Sequence, residues 1–406
     1  MSQPGNRRSR IDAARLRGDS LRERHDPPRK SVAVPPAVLA ASRPGRRPAV
    51  SFLTGITGLG AGFKALGKQA IASFFAATDN PFVALVVGIL GTTLAQSSSI
   101  TTSMIVAMVG AGSLSIPQAV PMIMGANIGT TVTNTIVSLG HITRPEEFRR
   151  AFAAATCHDF FNFLTVAVML PLELATGVLS HSAAALAHAF AGGSGGELPN
   201  PLKTATKWVV HQVEHGIAVA FDSPHARAVA LIVVSMILLF VTLGYIVRNL
   251  RILSSDRMET AVERSAEQNP YIGLVVGIVV TIMVQSSSIT TSVLVPLAGA
   301  GLLRLEQVFP ITVGANIGTT VTALIASLAL PRESLQLGLT IALVHLLFNV
   351  AGVLIVFVAP PARRIPLRCA RWLANVAVRS RKYALLYVLL LFYGVPAVLI
   401  FLPRMF

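Results

Sequence analysis

The sequence predicts an all-α polytopic membrane protein made of two inverted-topology repeats, each with a re-entrant helical hairpin and broken helices. Three observations lead there. Of 406 residues, 53% are hydrophobic and 13% charged, and the mean hydropathy is +0.65, which excludes a water-soluble globular domain. The stretch Gln96 to Thr133 recurs at Gln285 to Thr322, displaced by 189 positions without a gap and with 24 identities in 38 residues. The polar centre of each copy, Gln-Ser-Ser-Ser, interrupts a segment otherwise built of Val, Ile, Leu, Ala and Gly.

Residues 1–48 read as a disordered basic cytoplasmic tail. The first 50 residues carry 12 Lys plus Arg against four acids, half of the net charge of +16, with no apolar core of signal-peptide type. That charge sets membrane orientation rather than nucleic-acid binding, because Lys and Arg collect in cytoplasmic segments. The first repeat spans residues 49–180. Its first apolar segment runs from about Val50 to Ala77, with Lys64 and Lys68 snorkelling to an interface. Asn80-Pro81 then reads as a helix start with a capping side chain and a first-turn proline, and Asn269-Pro270 repeats it 189 positions on.

Phe82 to Val109 is long enough to cross, but the Gln96-Ser97-Ser98-Ser99 break predicts two half-helices meeting at a polar tip. Such backbone survives at membrane depth only where it lines a cavity. A further span, about Gln118 to Leu139, is expected to break at Gly125-Ala126-Asn127-Ile128-Gly129. The span Ala151 to Leu179 sets His158 and Asn162 on one helical face, and the second half answers with His345 and Asn349. Residues 181–228 form the expected external connector, 229–360 the second repeat, and 361–406 a basic loop plus a C-terminal hydrophobic segment without a counterpart. The crossing count and the Arg-rich loops have the first hairpin enter from outside and the second from inside. Cys157 and Cys369 give neither a disulfide framework nor a metal spacing.

A single Ser or Thr in a membrane helix usually bonds back to the backbone or holds helices together. Four consecutive polar residues, repeated, point instead to a site near the bilayer midplane. Hydroxyls, amides and free N–H groups at helix starts suit an oxyanion. Carbonyls and threonine hydroxyls at the same breaks suit a small alkali cation. Neither motif holds Arg or Lys, so a divalent anion there calls for mobile cations to offset its desolvation.

Gln-Ser-Ser-Ser with its trailing Thr and Ser, Gly125 to Thr130, the run His158 to Asn162 and Pro171-Leu172-Glu173 together resemble the type II sodium/phosphate cotransporter family over about residues 50–360. The resemblance implies sodium-coupled phosphate uptake, with sodium as coupling ion and no organic cofactor, in a multi-pass plasma (inner) membrane protein with a cytoplasmic N-terminus. It carries phosphate contacts onto Gln96, Ser97, Ser98, Gln285, Ser286 and Ser287, joined by Asn127 and Asn316, and sodium ligands onto Ser99, Thr130, Thr131, Ser288, Thr319 and Thr320. His158, Asn162, His345, Asn349 and Gly112 are expected in support. In that family a glycine where Gly112 stands implies electroneutral transport. The short connector without cysteines departs from animal members and suggests a bacterial relative. Carriage of arsenate or sulfate, an uncoupled anion pore, and an intramembrane hydrolase using Ser97 or Ser98 with His158 remain alternatives. The last lacks a Gly-x-Ser-x-Gly motif.

Overall fold

A computed structural model of the chain describes residues 47–66, 76–192, 201–242, 245 and 269–401. The predicted basic tail, Lys68 and the arginines at 248, 251 and 257 lie outside the described residues. Among those described, five helices are long and apolar enough to cross a membrane: Pro145–Thr176, Pro224–Thr242, Leu305–Leu328, Arg332–Val358 and Arg381–Leu399. The protein is an all-α multi-pass membrane protein.

Helix α1, Arg47–Leu66, lies against α9, Pro224–Thr242, along a glycine stripe. A Cβ on Gly55 would stand 3.1 Å from the Ser235 carbonyl oxygen, so the two backbones touch. Lys64 is exposed near the end of α1, as snorkelling requires.

The duplicated segment builds the same local structure twice. Helices α2, Pro81–Ala95, and α10, Pro270–Val284, start from Asn80 and Asn269, whose side chains accept the Phe82 and Tyr271 N–H at 2.9 and 3.0 Å. Each ends at a glutamine in the left-handed region. A serine then caps a second short helix, α3, Ser98–Gly110, or α11, Ser287–Gly299. The expected half-helix hairpins are therefore present, both turning back at the polar motif.

Each hairpin is wedged against a partner helix by glycines. A Cβ on Gly88 would strike the Met122 carbonyl oxygen, and one on Gly125 the Leu85 carbonyl; Gly277 and Gly314 repeat this against Ile311 and Leu274. The partner of α2 is split into α4, Ile116–Gly129, and α5, Val132–Leu139, at Thr130-Thr131. The partner of α10 is one continuous helix, α12, Leu305–Leu328. The expected break at the Gly-Ala-Asn-Ile-Gly sequence is thus absent from the second half and falls just after that sequence in the first. Its glycines serve close packing there rather than chain reversal.

The halves exchange helices. Helix α6, Pro145–Thr176, packs on α11 of the second hairpin, and α13, Arg332–Gly352, continued by a π turn through Val358, packs on α3 of the first. Two further helices differ from the expected loops. Residues Val178–Gly192 form α7, which lies on α13 through Leu179, Ala183 and Ala187, one helical turn apart and buried; Pro201–Ala220 forms α8. The predicted external connector is therefore largely helical, because its alanine spacing supplies an apolar stripe. Helix α14, Pro360–Arg379, matches α7 in position, lying on α6 as α7 lies on α13. The chain ends with α15, Arg381–Leu389, a π turn over Leu390–Gly394, and α16, Val395–Phe401, set against α2.

Helix α12 orients the hairpins relative to each other. It begins at Leu305, capped by Arg304, immediately beyond the turn that follows the second hairpin, and beyond its end Leu330 meets Gly110 at the turn that follows the first. The two turns lie at opposite ends of one helix.

Candidate functional site

Gln96 (φ 52°) and Gln285 (φ 56°) are the only non-glycine residues with positive φ among those described. An L residue in this region is strained unless its surroundings fix it. Both glutamines are fixed the same way. The side-chain amide donates to the carbonyl three residues back, Gln96 to Thr93 and Gln285 to Ile282, at 2.6 Å in each case. The carboxamide oxygen accepts the hydroxyl of Thr133 at 3.1 Å in the first half and of Thr322 at 2.9 Å in the second.

Ser97 and Ser286 follow in extended backbone, and their hydroxyls accept the Ile100 and Ile289 N–H at 3.4 Å. Beyond them the first N–H groups of α3 and α11 have no intrahelical acceptor, as at any helix start. Ser98 and Ser287 stand in this first turn, buried to 5% and 2% exposure. Ser99 is buried beside Ser98, whereas Ser288 is half-buried. Each tip thus offers hydroxyls and backbone donors at the positive end of a helix dipole, the arrangement an oxyanion needs.

The threonines named as cation ligands share one geometry. Thr130 and Thr319 donate to the Ala126 and Ala315 carbonyls at 2.8 and 2.9 Å, and Thr131 and Thr320 to those of Ile128 and Ile317 at 2.8 and 2.7 Å. With its proton so engaged, the hydroxyl of Thr130, Thr319 or Thr320 presents lone pairs, which suits a hard cation, whereas Thr131 also meets the Asp159 carboxyl. Among the described residues no group of three or more His, Cys, Asp or Glu is placed to hold a metal ion.

Asn127 and Asn316 are joined through α6. His158 Nε2 lies 2.7 Å from Asn316 Oδ1; Asn316 Nδ2 donates to Asn162 Oδ1 at 2.8 Å; and Asn162 Nδ2 donates to the Asn127 carbonyl at 2.8 Å. All four are buried. Asn316 therefore has both ends of its amide engaged within the protein and positions the halves. The equivalent pair in α13 has no such bridge. Asn349 Nδ2 donates only to the His345 carbonyl at 3.1 Å, and His345 Nδ1 and Asn349 Oδ1 are buried without a partner.

Gly112 does not join these groups. It has φ 71° in an exposed turn beyond α3, a helix length of about 20 Å from the Gln96 tip.

Sequence reasoning missed several partners. Thr133 and Thr322 were legible as the last threonines of the repeat, 37 positions after each glutamine. Asn134 accepts from Thr291 at 2.8 Å and Ser292 at 3.3 Å, linking α5 to the second hairpin, but Ala323 occupies its equivalent position, so repetition gave no cue. Tyr387 donates to Asp159 Oδ2 at 2.7 Å from a segment outside the duplication.

Residues 51–187 and 238–394 match the model of the Na+/Pi-cotransporter family. The chain is 34% identical over 414 residues to sodium-dependent phosphate transport protein 2A of Rattus norvegicus, an alignment covering 85% of this chain and 65% of the relative. It is 32% identical over 432 residues to the 2B protein of Homo sapiens, covering 85% and 62%. The chain therefore spans less than two thirds of the length of these relatives. No solved structure matches it. With the family model covering most of the sequence, both hairpins included, the chain belongs to the Na+/Pi-cotransporter family.

Proposed function

We propose that this protein is a secondary active transporter that couples inward sodium movement to uptake of inorganic phosphate, by alternating access around a site between the two glutamine–serine tips. The observation that carries the reading is the twin construction at Gln96 and Gln285. Two left-handed glutamines, each fixed by a threonine, lead into two short helices whose first N–H groups, ahead of the capped Ile100 and Ile289, have no intrahelical acceptor. Ser97, Ser98, Ser286 and Ser287 with the two glutamines form the phosphate site in this reading. Thr130, Thr131, Thr319 and Thr320, with Ser99 and Ser288, supply oxygens for sodium.

Inverted repeats are supported by the hairpin turns standing at opposite ends of α12, and alternation by the unequal state of the two His–Asn pairs. One pair bridges the halves through Asn316 while its equivalent is bonded only within its own helix, an asymmetry consistent with two exchangeable arrangements of similar halves. In this reading the basic face that carries α14 is the cytoplasmic one, and the protein sits in the plasma membrane with its N-terminus on that same side.

Uptake of radiolabelled phosphate by purified protein in liposomes tests the reading. Uptake in sodium, with little in choline and little competition from sulfate, is the expected result. Equal uptake in sodium and choline would leave a pore; full competition by sulfate would change the substrate.

A further inference from the structure

A cavity of about 300 Å³ lies beside the turn that follows the second hairpin, between the start of α6, the start of α12 and residues Arg371, Ala374 and Asn375 of α14. Arg149, Arg150, Arg304 and Arg371 line it, with Glu306 as the one acid in the lining and Asn375 at its edge. Glu306 is paired with Arg371, and Arg149 is held by Glu146 at 2.7 Å. Arg150 donates to the Gly299 carbonyl at 2.9 Å, and neither it nor Arg304 is ion-paired to a carboxylate among the described residues. Arg304 also donates to Gln307 at 3.4 Å and lies in the field of Glu306, so the two guanidinium groups reach one cavity without a direct carboxylate partner of their own and with donors to spare.

The surroundings identify the occupant. Helix α14 buries Leu367, Ala370, Leu373, Ala374 and Ala377, while Arg364, Arg368, Arg371 and Arg379 are exposed along its other side. Ile365 and Trp372 are exposed beside those arginines, Trp372 to 64%. A basic amphipathic helix with an exposed tryptophan lies in the headgroup layer of a bilayer. Basic pockets under such helices take lipid phosphate.

We propose that the Arg150–Arg304 cavity is a binding site for the headgroup of an anionic phospholipid, with the acyl chains lying along α14 beside Trp372. The lipid phosphate takes the remaining donors of Arg150 and Arg304, and its net negative charge offsets the excess of arginines. Because the cavity lies against the turn of the second hairpin at Gly301 and Leu303, the lipid braces that turn.

Native mass spectrometry of the full-length protein, titrated with dioleoyl phosphatidylglycerol or dioleoyl phosphatidylcholine, tests this. The expected result is one tightly retained phosphatidylglycerol and no equivalent phosphatidylcholine. Arg150→Gln with Arg304→Gln should reduce retention about tenfold or more, whereas Arg150→Lys with Arg304→Lys should stay within about threefold. Millimolar inorganic phosphate should leave the lipid in place. Equal retention of the two lipids, unchanged retention in the glutamine variant, or equal losses in the lysine and glutamine variants would each overturn the proposal. Displacement of the lipid by inorganic phosphate would also overturn it and assign the cavity to the free anion.

Discussion

Gln96 and Gln285 do two jobs that substitution separates. The backbone must hold φ near 50°, and the carboxamide must link the preceding helix end to Thr133 or Thr322. Glycine would satisfy the first demand alone. Gln96→Gly is therefore expected to fold and reach the membrane but to raise the phosphate KM. Gln96→Val, with neither property, should lose expression as well, and equal expression and KM for the two would show the backbone requirement to be absent. Ser98→Ala or Ser287→Ala removes a donor to a desolvated anion, a loss of about 1.5–3 kcal/mol, or roughly tenfold or more in KM. Wild-type uptake by both variants would refute the central site. His158→Phe leaves Asn316 Oδ1 buried without its partner, which should destabilise the protein by about 1–3 kcal/mol. His345→Phe breaks no bond of the kind His158 Nε2 makes to Asn316, although Nδ1 is without a partner in both rings, so thermal melting should move less than for His158→Phe while turnover still falls. At this scale the sequence was informative wherever a residue was duplicated. It was mute at Asn134 and Tyr387, which act through contacts across 157 and 228 positions that no repeat marks.

The elements owe their placement chiefly to glycine. At Gly88 and Gly277 the facing backbone leaves no room for a Cβ, because the atoms it would meet are the carbonyls of Met122 and Ile311 rather than flexible side-chain ends. Gly88→Ala or Gly277→Ala must push two helices apart and should cost at least about 1–3 kcal/mol, read as a lowered melting temperature. Gly60→Ala is the control, since its Cβ would find no atom closer than 3.7 Å, and it should melt like wild type. If all three melt alike, close helix approach does not hold the hairpins. The hairpins themselves were legible because polar residues in an apolar run have few tolerable explanations. Helices α7 and α8 were not, since a short alanine-rich segment beside a Gly/Ser/Pro stretch resembles a connector until its partner α13 is known. The unbroken α12 was hidden for a related reason: the same Gly-Ala-Asn-Ile-Gly-Thr-Thr sequence breaks in one half and continues in the other. Local sequence therefore does not decide the break; tertiary surroundings do.

Across the whole molecule, the question is whether the two hairpin turns face opposite solutions. Helix α12 has 24 residues, about 36 Å at 1.5 Å per residue, which exceeds a hydrocarbon core of about 30 Å. At one end it adjoins Leu302 of the second hairpin's turn; at the other, Leu330 packs on Gly110 of the first. The loop equivalent to Leu330 obeys the same rule, since His141 lies beside Gly299. The second turn shares its end of the molecule with Arg149, Arg150 and the arginines of α14, a concentration of positive charge that the proposed orientation sets on the cytoplasmic side. Cysteine placed at Ser113 or at Leu302, in a background with Cys157 and Cys369 replaced, is then expected to react with a membrane-impermeant thiol reagent from opposite sides: Ser113→Cys in intact cells, and Leu302→Cys, at a position 64% exposed, only in inside-out vesicles. Labelling of both from one side would mean that α12 does not cross. Alternation of two inverted halves would then lose its physical basis, even if sodium-dependent uptake were intact.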